Sequence, residues 1–250
     1  MKAGVFDSGV GGLSVLKSLI NAKLFEEIIY YGDTARVPYG VKDKQTIIQF
    51  SLQALEFFAP HHIDILIVAC NTVSAYALKE MQKHTKIPIV GVIEPGVLAV
   101  QKKVADTDSE ILIIATRATI SSGEYETRLR KIGFWNLKSL ATGLFVPIVE
   151  EGLFEGEVLE SAFRYYFGEL GAAPKAIILG CTHFPLIAPA LDAYFKHQSI
   201  LIHSGEAIVE YLENVMHLTS RYPLKSLQFF ASDNVAQLTK TANLWLNTSI

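Results

Sequence analysis

The chain has 250 residues, half of them hydrophobic and 19% charged, with a net charge of −3 and a pI near 6.2. That is enough apolar material for one large domain or two of roughly 100–150 residues, and it excludes a disordered chain. Lysine and arginine are dispersed with no basic run, so a nucleic-acid surface is excluded, and no apolar stretch approaches the ~20 residues of a membrane-spanning helix.

Short apolar runs alternate with helical patterns along the whole chain. Strands are predicted at 3–6, 27–31, 64–69, 87–92, 110–115, 137–141, 175–180, 199–202 and 226–230. Between them, 43–59 and 154–167 carry apolar residues at helical spacing, as in Ile47, Ile48, Leu52, Leu55 and Phe58. This alternation predicts an α/β fold with mostly parallel sheets, whose right-handed crossovers bring all strand C-termini to one edge. The first strand begins at Ala3, which leaves no room for a signal peptide. A cytoplasmic setting is expected, in which thiols stay reduced.

The pattern also repeats. Strand 3–6 leads to Asp7-Ser8-Gly9 and strand 110–115 to Thr116-Arg117-Ala118-Thr119. Val37-Pro38-Tyr39-Gly40 in the first half is matched by Phe145-Val146-Pro147 and Glu150 in the second. Asp7 to Cys70 spans 63 residues and Thr116 to Cys181 spans 65. Two similar, pseudo-symmetric α/β lobes with an active site in the cleft between them are expected. Glu94-Pro95-Gly96 interrupts the pattern, so residues 1–94 plus 206–250 are assigned to the first lobe and 95–205 to the second.

The chain has two cysteines, 111 residues apart, and each ends a buried-strand run: Ile65-Leu66-Ile67-Val68-Ala69-Cys70-Asn71-Thr72 and Ala176-Ile177-Ile178-Leu179-Gly180-Cys181-Thr182-His183. Strand C-termini are where α/β proteins bind ligands. Each thiol can be read as a small buried hydrophobe or as a reactive group favoured by a helix N-terminus. The matched settings favour a shared site. Asn71, Thr72 and Thr182 can donate to a carboxylate, and His183 can partner Cys181 or a ligand proton. No Cys or His spacing suits a metal site.

Other segments are less specific. Asp7-Ser8-Gly9-Val10-Gly11-Gly12 lacks the third glycine of a dinucleotide fingerprint and the Gly-Lys-Ser/Thr of a phosphate loop. It reads as a seat for a carboxylate or as a tight capped turn. Asp33-Thr34-Ala35-Arg36-Val37-Pro38-Tyr39-Gly40 reads as a ligand-holding loop or a surface turn, and Glu150-Glu151 as a solvated pair or a support for His183. Trp135, Trp245 and the run Phe163–Phe167 read as packing.

Taken together, Phe6-Asp7-Ser8-Gly9-Val10-Gly11-Gly12-Leu13, Tyr31–Gly40, Ala69-Cys70-Asn71-Thr72, Val92-Ile93-Glu94-Pro95, Leu179–Pro185 and His203-Ser204-Gly205 resemble the glutamate racemase family over residues 4–212. The resemblance implies a cofactor-independent enzyme that acts on glutamate from both faces of its α-carbon and supplies D-glutamate for peptidoglycan synthesis. Cys70 would take the proton from D-glutamate and Cys181 from L-glutamate, assisted by Asp7 and His183 respectively, with Glu150 supporting His183. Substrate-binding positions would be Asp7, Ser8, Pro38, Tyr39, Gly40, Asn71, Thr72, Thr116, Thr119, Thr182 and His183. At Arg117 the sequence departs from the family's short Gly-Thr pattern. A homodimer is expected, for which Leu244, Trp245 and Leu246 of the last helix are the candidate surface. Competing readings are an aspartate or hydantoin racemase, a binding module that closes on a small acid, and a thiol-redox protein.

Overall fold

The computed structural model describes residues 1–246. In the first half, β1 (Lys2–Asp7) leads to α1 (Leu13–Ala22), and β2 (Glu27–Gly32) leads through two 3-10 turns to α2 (Lys44–Phe58). β3 (Ile65–Val68) is followed by α3 (Asn71–Tyr76) and α4 (Leu78–Lys83), and β4 (Ile89–Gly91) by α5 (Ile93–Lys103). The second half starts with β5 (Ile111–Ala115), α6 (Arg117–Ser122) and α7 (Glu124–Lys131), then β6 (Leu137–Ala141), α8 (Phe145–Glu150) and α9 (Glu157–Phe167). It continues through β7 (Ala176–Gly180), α10 (Ala188–Tyr194), β8 (Ile200–Ile202) and α11 (Ser204–Asn214) to β9 (Ser226–Ala231) and α12 (Val235–Leu246). Each of the nine expected strands forms.

The strands build two fully parallel sheets, ordered β4-β3-β1-β2-β9 and β6-β5-β7-β8. Read from its other end, the second sheet runs β8-β7-β5-β6, which is the order β4-β3-β1-β2 with every strand advanced by four. The expected α/β, two-sheet, pseudo-symmetric fold is therefore present. The register shifts one detail. Phe6 pairs with Val68 and Ala115 with Gly180. Continuing both ladders sets Ser8 beside Cys70 and Thr116 beside Cys181, so Thr116 corresponds to Ser8 and not to Asp7.

Both faces of each sheet are covered, as the unbroken apolar strands require. Val5, Ile28, Ile65 and Ile67 point into a core shared with Leu16 and Leu19 of α1, Ile208 and Leu212 of α11, and Leu238, Ala242 and Leu246 of α12. On the opposite face Phe6, Ile29, Leu66 and Val68 pack on α2 through Ile47, Leu55 and Phe58 and on α3 through Val73. In the second sheet Ile114, Ile177 and Leu179 meet an aromatic cluster of Phe145, Phe163 and Phe184. Its other face, with Ile111, Ile113 and Ile178, packs on α5 through Val97 and Val100, on α7 through Tyr125 and Leu129, and on Ala207 of α11. Local chemistry sets the helix starts: Asp43 caps α2 by accepting from the N–H groups of Gln45 and Thr46 at 2.9 and 3.0 Å.

The last segment belongs to the first sheet. All six residues of β9 pair with β2, and Leu238 and Ala242 of α12 are fully buried. Two expectations fail here. Leu246 is buried and Trp245 packs on the cores of both sheets, so of residues 244–246 only Leu244 is left exposed for a partner. Trp135, read as packing, is 71% exposed, and Tyr165 of the aromatic run is 75% exposed with its ring against Tyr166. No described helix is long and apolar enough to cross a membrane.

Leu238→Ala is expected to lower unfolding free energy by about 2–5 kcal/mol, as a buried leucine truncation does. Urea denaturation checks this, and a loss below about 1 kcal/mol would show that α12 is not part of the core.

Candidate active site

Parallel sheets present their C-terminal edges to solvent, and here the two edges face each other across a cleft. A cavity with about 430 Å³ of empty space, its mouth included, opens between them. Cys70 and Cys181 both line it, one from each sheet. Ser8, Pro38, Tyr39, Gly40, Asn71, Thr72, Thr116, Glu150, Thr182 and His183 share the lining. Asp7 and Thr119 sit behind the wall, 0% and 2% exposed.

The two thiols have opposite surroundings. Cys70 caps α3, its carbonyl accepting from Ser74 N–H at 2.9 Å, and its Sγ contacts Ser8 Oγ at 3.5 Å. Burial, reinforced by the negative charge of Asp7, pushes the Cys70 thiol up to about 12, although Ser8 and the Val73 N–H oppose the shift. Cys181 has His183 Nδ1 3.7 Å from its Sγ. The Nε2 of that ring is 3.1 Å from Glu150 Oε1. Burial pulls His183 down, but its bonds to Cys181 and Glu150 and the charges of Cys181 and Asp7 outweigh that and hold it up at about 10. The edge of Trp245 closes the ring in, with centroids 6.3 Å apart.

Asp7 links the lobes. Its carboxylate accepts from Gly9 N–H at 2.9 Å and from Thr182 Oγ at 3.4 Å. Burial raises its pKa, against the positive charge of His183 and the N–H groups of Gly9 and Gly12. The glycine loop is thus partly filled by its own carboxylate. Tyr30 reinforces the turn by donating to Gly9 O at 2.8 Å. On the far side of the cleft the hydroxyls of Thr72, Thr116 and Thr119 stand 3.0 Å from one another, a triangle built from both lobes. The departure at Arg117 does not disturb it, since Thr116 caps α6 and Thr119 lies one turn on.

Close contact between the lobes depends on two glycines. A Cβ on Gly11 would lie 2.5 Å from His183 Nδ1 and also collide with Thr182 Oγ. A Cβ on Gly40 would lie 2.5 Å from Thr116 Cβ.

In the polar loop 33–40 the two charged side chains face each other and not the cavity. Asp33 is fully buried and pairs with Arg36 Nε at 2.7 Å while accepting from the Tyr39 hydroxyl, and Arg36 lies 4.1 Å above the Phe50 ring. The charges at 33 and 36 therefore hold Tyr39 and Gly40 in the lining. This internal pairing is not readable from residue types, nor are the lining contributions of Val37, Val146 and Gly180.

Gly11→Ala is expected to cut turnover at least tenfold by displacing His183, whereas Gly171→Ala, where an added Cβ meets nothing within 4 Å, leaves it unchanged. Wild-type turnover in the Gly11 variant would show that the contact yields freely. In NMR titration His183 is expected to stay imidazolium until about pH 10, and Glu150→Gln to lower that midpoint. With the folded value raised, its contribution to stability is full below the unfolded histidine value and disappears as pH rises through about 10. A midpoint in the ordinary histidine range would contradict this.

Comparison with known proteins gives a consistent result. Residues 12–212 match the Asp/Glu/Hydantoin racemase family. A glutamate racemase of Helicobacter acinonychis is 56% identical over 98% of this chain and 99% of its own. The crystal structure of glutamate racemase from Campylobacter jejuni superposes with a TM-score of 0.95 at 56% identity, covering 100% of both chains. That of Francisella tularensis, solved with D-glutamate, gives 0.85 at 33% identity, covering 100% of this chain and 94% of that one. On the full-length sequence likeness and the shared fold, the chain belongs to the Asp/Glu/hydantoin racemase family.

Proposed function

We propose that this protein interconverts L- and D-glutamate by proton transfer at the α-carbon between two thiols. The observation that carries the reading is the cavity itself, with one cysteine from each sheet on its wall and a different electrostatic setting for each. An amino-acid Cα–H is a very weak acid and a thiolate is a modest base, so the site must supply preorganised donors for the developing charge. The Thr72 and Thr116 hydroxyls, backed by Thr119, and the α3 N-terminus, where Asn71 and Thr72 begin, are such donors.

For L-glutamate, Cys181 Sγ takes the α-proton and the electron pair is left on Cα. Cys70, held as the thiol, then delivers its proton to the opposite face. The product is D-glutamate, with a thiolate now at Cys70 and a thiol at Cys181. The reverse reaction retraces these steps. An imidazolium at His183, fixed by Glu150, supplies the positive charge with which a thiolate at Cys181 pairs. Cys70 has different neighbours: Ser8 contacts its Sγ, and the negative charge of Asp7 favours its thiol form. Both proton carriers are side chains of this chain, and the reading includes no cofactor.

The same reading places the enzyme in the cytoplasm, as a source of D-glutamate for peptidoglycan synthesis, with lobes divided as 1–94 plus 206–250 and 95–205; residues 247–250 lie outside the described residues. It also includes a homodimer. The exposed Val37, Val41, Leu144 and Tyr165, which all line the outer mouth of the cleft, support that assignment.

Cys70→Ser and Cys181→Ser are each expected to lower racemisation by at least the roughly 10²–10⁴-fold of one acid–base group. Circular dichroism of L- and D-glutamate and of both aspartate enantiomers, without added cofactor, provides the assay. In D₂O the product should carry deuterium at Cα. Full activity in either serine variant would sink the two-thiol mechanism, and faster turnover of aspartate would reassign the substrate.

A further inference from the structure

The two cysteine-bearing strand ends are joined by a buried polar chain that includes no cysteine. Tyr125, on α7 and 3% exposed, donates its hydroxyl proton to Asn71 Oδ1 at 2.6 Å. Asn71 follows Cys70 directly, and its Nδ2 donates to Ser204 Oγ at 3.4 Å. Ser204, at the start of α11, donates in turn to the carbonyl of Leu179 at 3.4 Å, two residues before Cys181. The chain therefore meets the Cys70 side at Asn71 and the Cys181 side at Leu179, and every member is buried.

The Tyr125 ring lies closely between two glycines. Added Cβ atoms on Gly96 and Gly180 would lie 3.3 and 3.4 Å from the two edges of the ring. Gly180 immediately precedes Cys181, so the ring packs directly under the second thiol's backbone while its hydroxyl holds the residue after the first. A side chain that only filled space would have no use for a 2.6 Å bond across the lobe boundary. Asn71 gains a defined amide orientation from it, with the oxygen toward Tyr125 and the nitrogen toward Ser204.

We propose that Tyr125 is a positioning residue that sets the placement of the Cys70 corner relative to the Cys181 corner, working through Asn71 and Ser204. Proton transfer from one face and return from the other needs both sulfurs aligned with a single α-carbon, and a misplacement of about 1 Å can cost on the order of 10²-fold. Removing the hydroxyl leaves the volume intact but strands a buried acceptor on Asn71. This inference rests on the two-thiol reading above.

The test compares wild type, Tyr125→Phe and Ser204→Ala as full-length chains in the glutamate assay. Each variant is expected to lose kcat roughly tenfold with KM within about twofold of wild type. In D₂O, deuterium incorporated into recovered substrate, relative to racemisation, is expected to rise, because a misaligned second thiol prolongs the life of the ionised α-carbon, so that the S–H formed on the first thiol exchanges with solvent and returns deuterium to the face that released the proton. A loss of folded protein would lower both exchange and racemisation equally. Wild-type kcat in Tyr125→Phe, or an unchanged exchange-to-racemisation ratio, would overturn the proposal. An inactive wild-type protein would instead overturn the assignment of glutamate, so the two failures are distinct.

Discussion

The distance of closest approach between two sheet edges governs this molecule. Gly11 in the first lobe lies against Thr182 and His183 in the second, and Gly40 lies against Thr116. With any side chain at these points the edges would stand farther apart, and Asp7 would lose its contact with Thr182. The triangle of Thr72, Thr116 and Thr119 would open for the same reason. Close approach is also what excludes water, and in a dry cleft each charge acts more strongly on its neighbours.

Within that cleft the symmetry of the backbone is broken by the side chains. Equivalent strands carry the two thiols, yet Cys70 has Ser8 and a buried carboxylate nearby, and Cys181 has a histidine tied to a glutamate. A duplicated frame thus gives two similar groups unlike neighbours. Asp7 connects the two settings, since its charge disfavours ionisation of Cys70 and favours protonation of His183. A change at this one buried carboxyl is therefore felt at both sulfurs.

Much of this was legible in the chain because the signals were local. Unbroken apolar runs such as Ile65–Val68 and Ala176–Gly180 marked buried parallel strands, and residues just past them formed the cavity. What residue types could not show was pairing across long separations. Asp33 and Arg36 read equally well as ligand donors, and only their burial with Tyr39 makes them supports of the wall. Tyr125 carries no motif, and its role depends on Asn71, 54 positions away, and on the gaps left by Gly96 and Gly180. Trp245 was read as packing and does pack, but its place between two cores and beside His183 is a tertiary fact.

Helix α11 gives the arrangement a mechanical character. It packs on α1 with Ile208 and Leu212 in the first sheet's core, and on α5 with Ala207 in the second sheet's. A helix that both cores share cannot act as a slack tether between rigid bodies. Relative motion that keeps both of its faces covered is a slide along its surface, a shear, and a wide hinge opening would strip apolar contacts from one side. Entry and exit of a ligand then call for small displacements of packed layers.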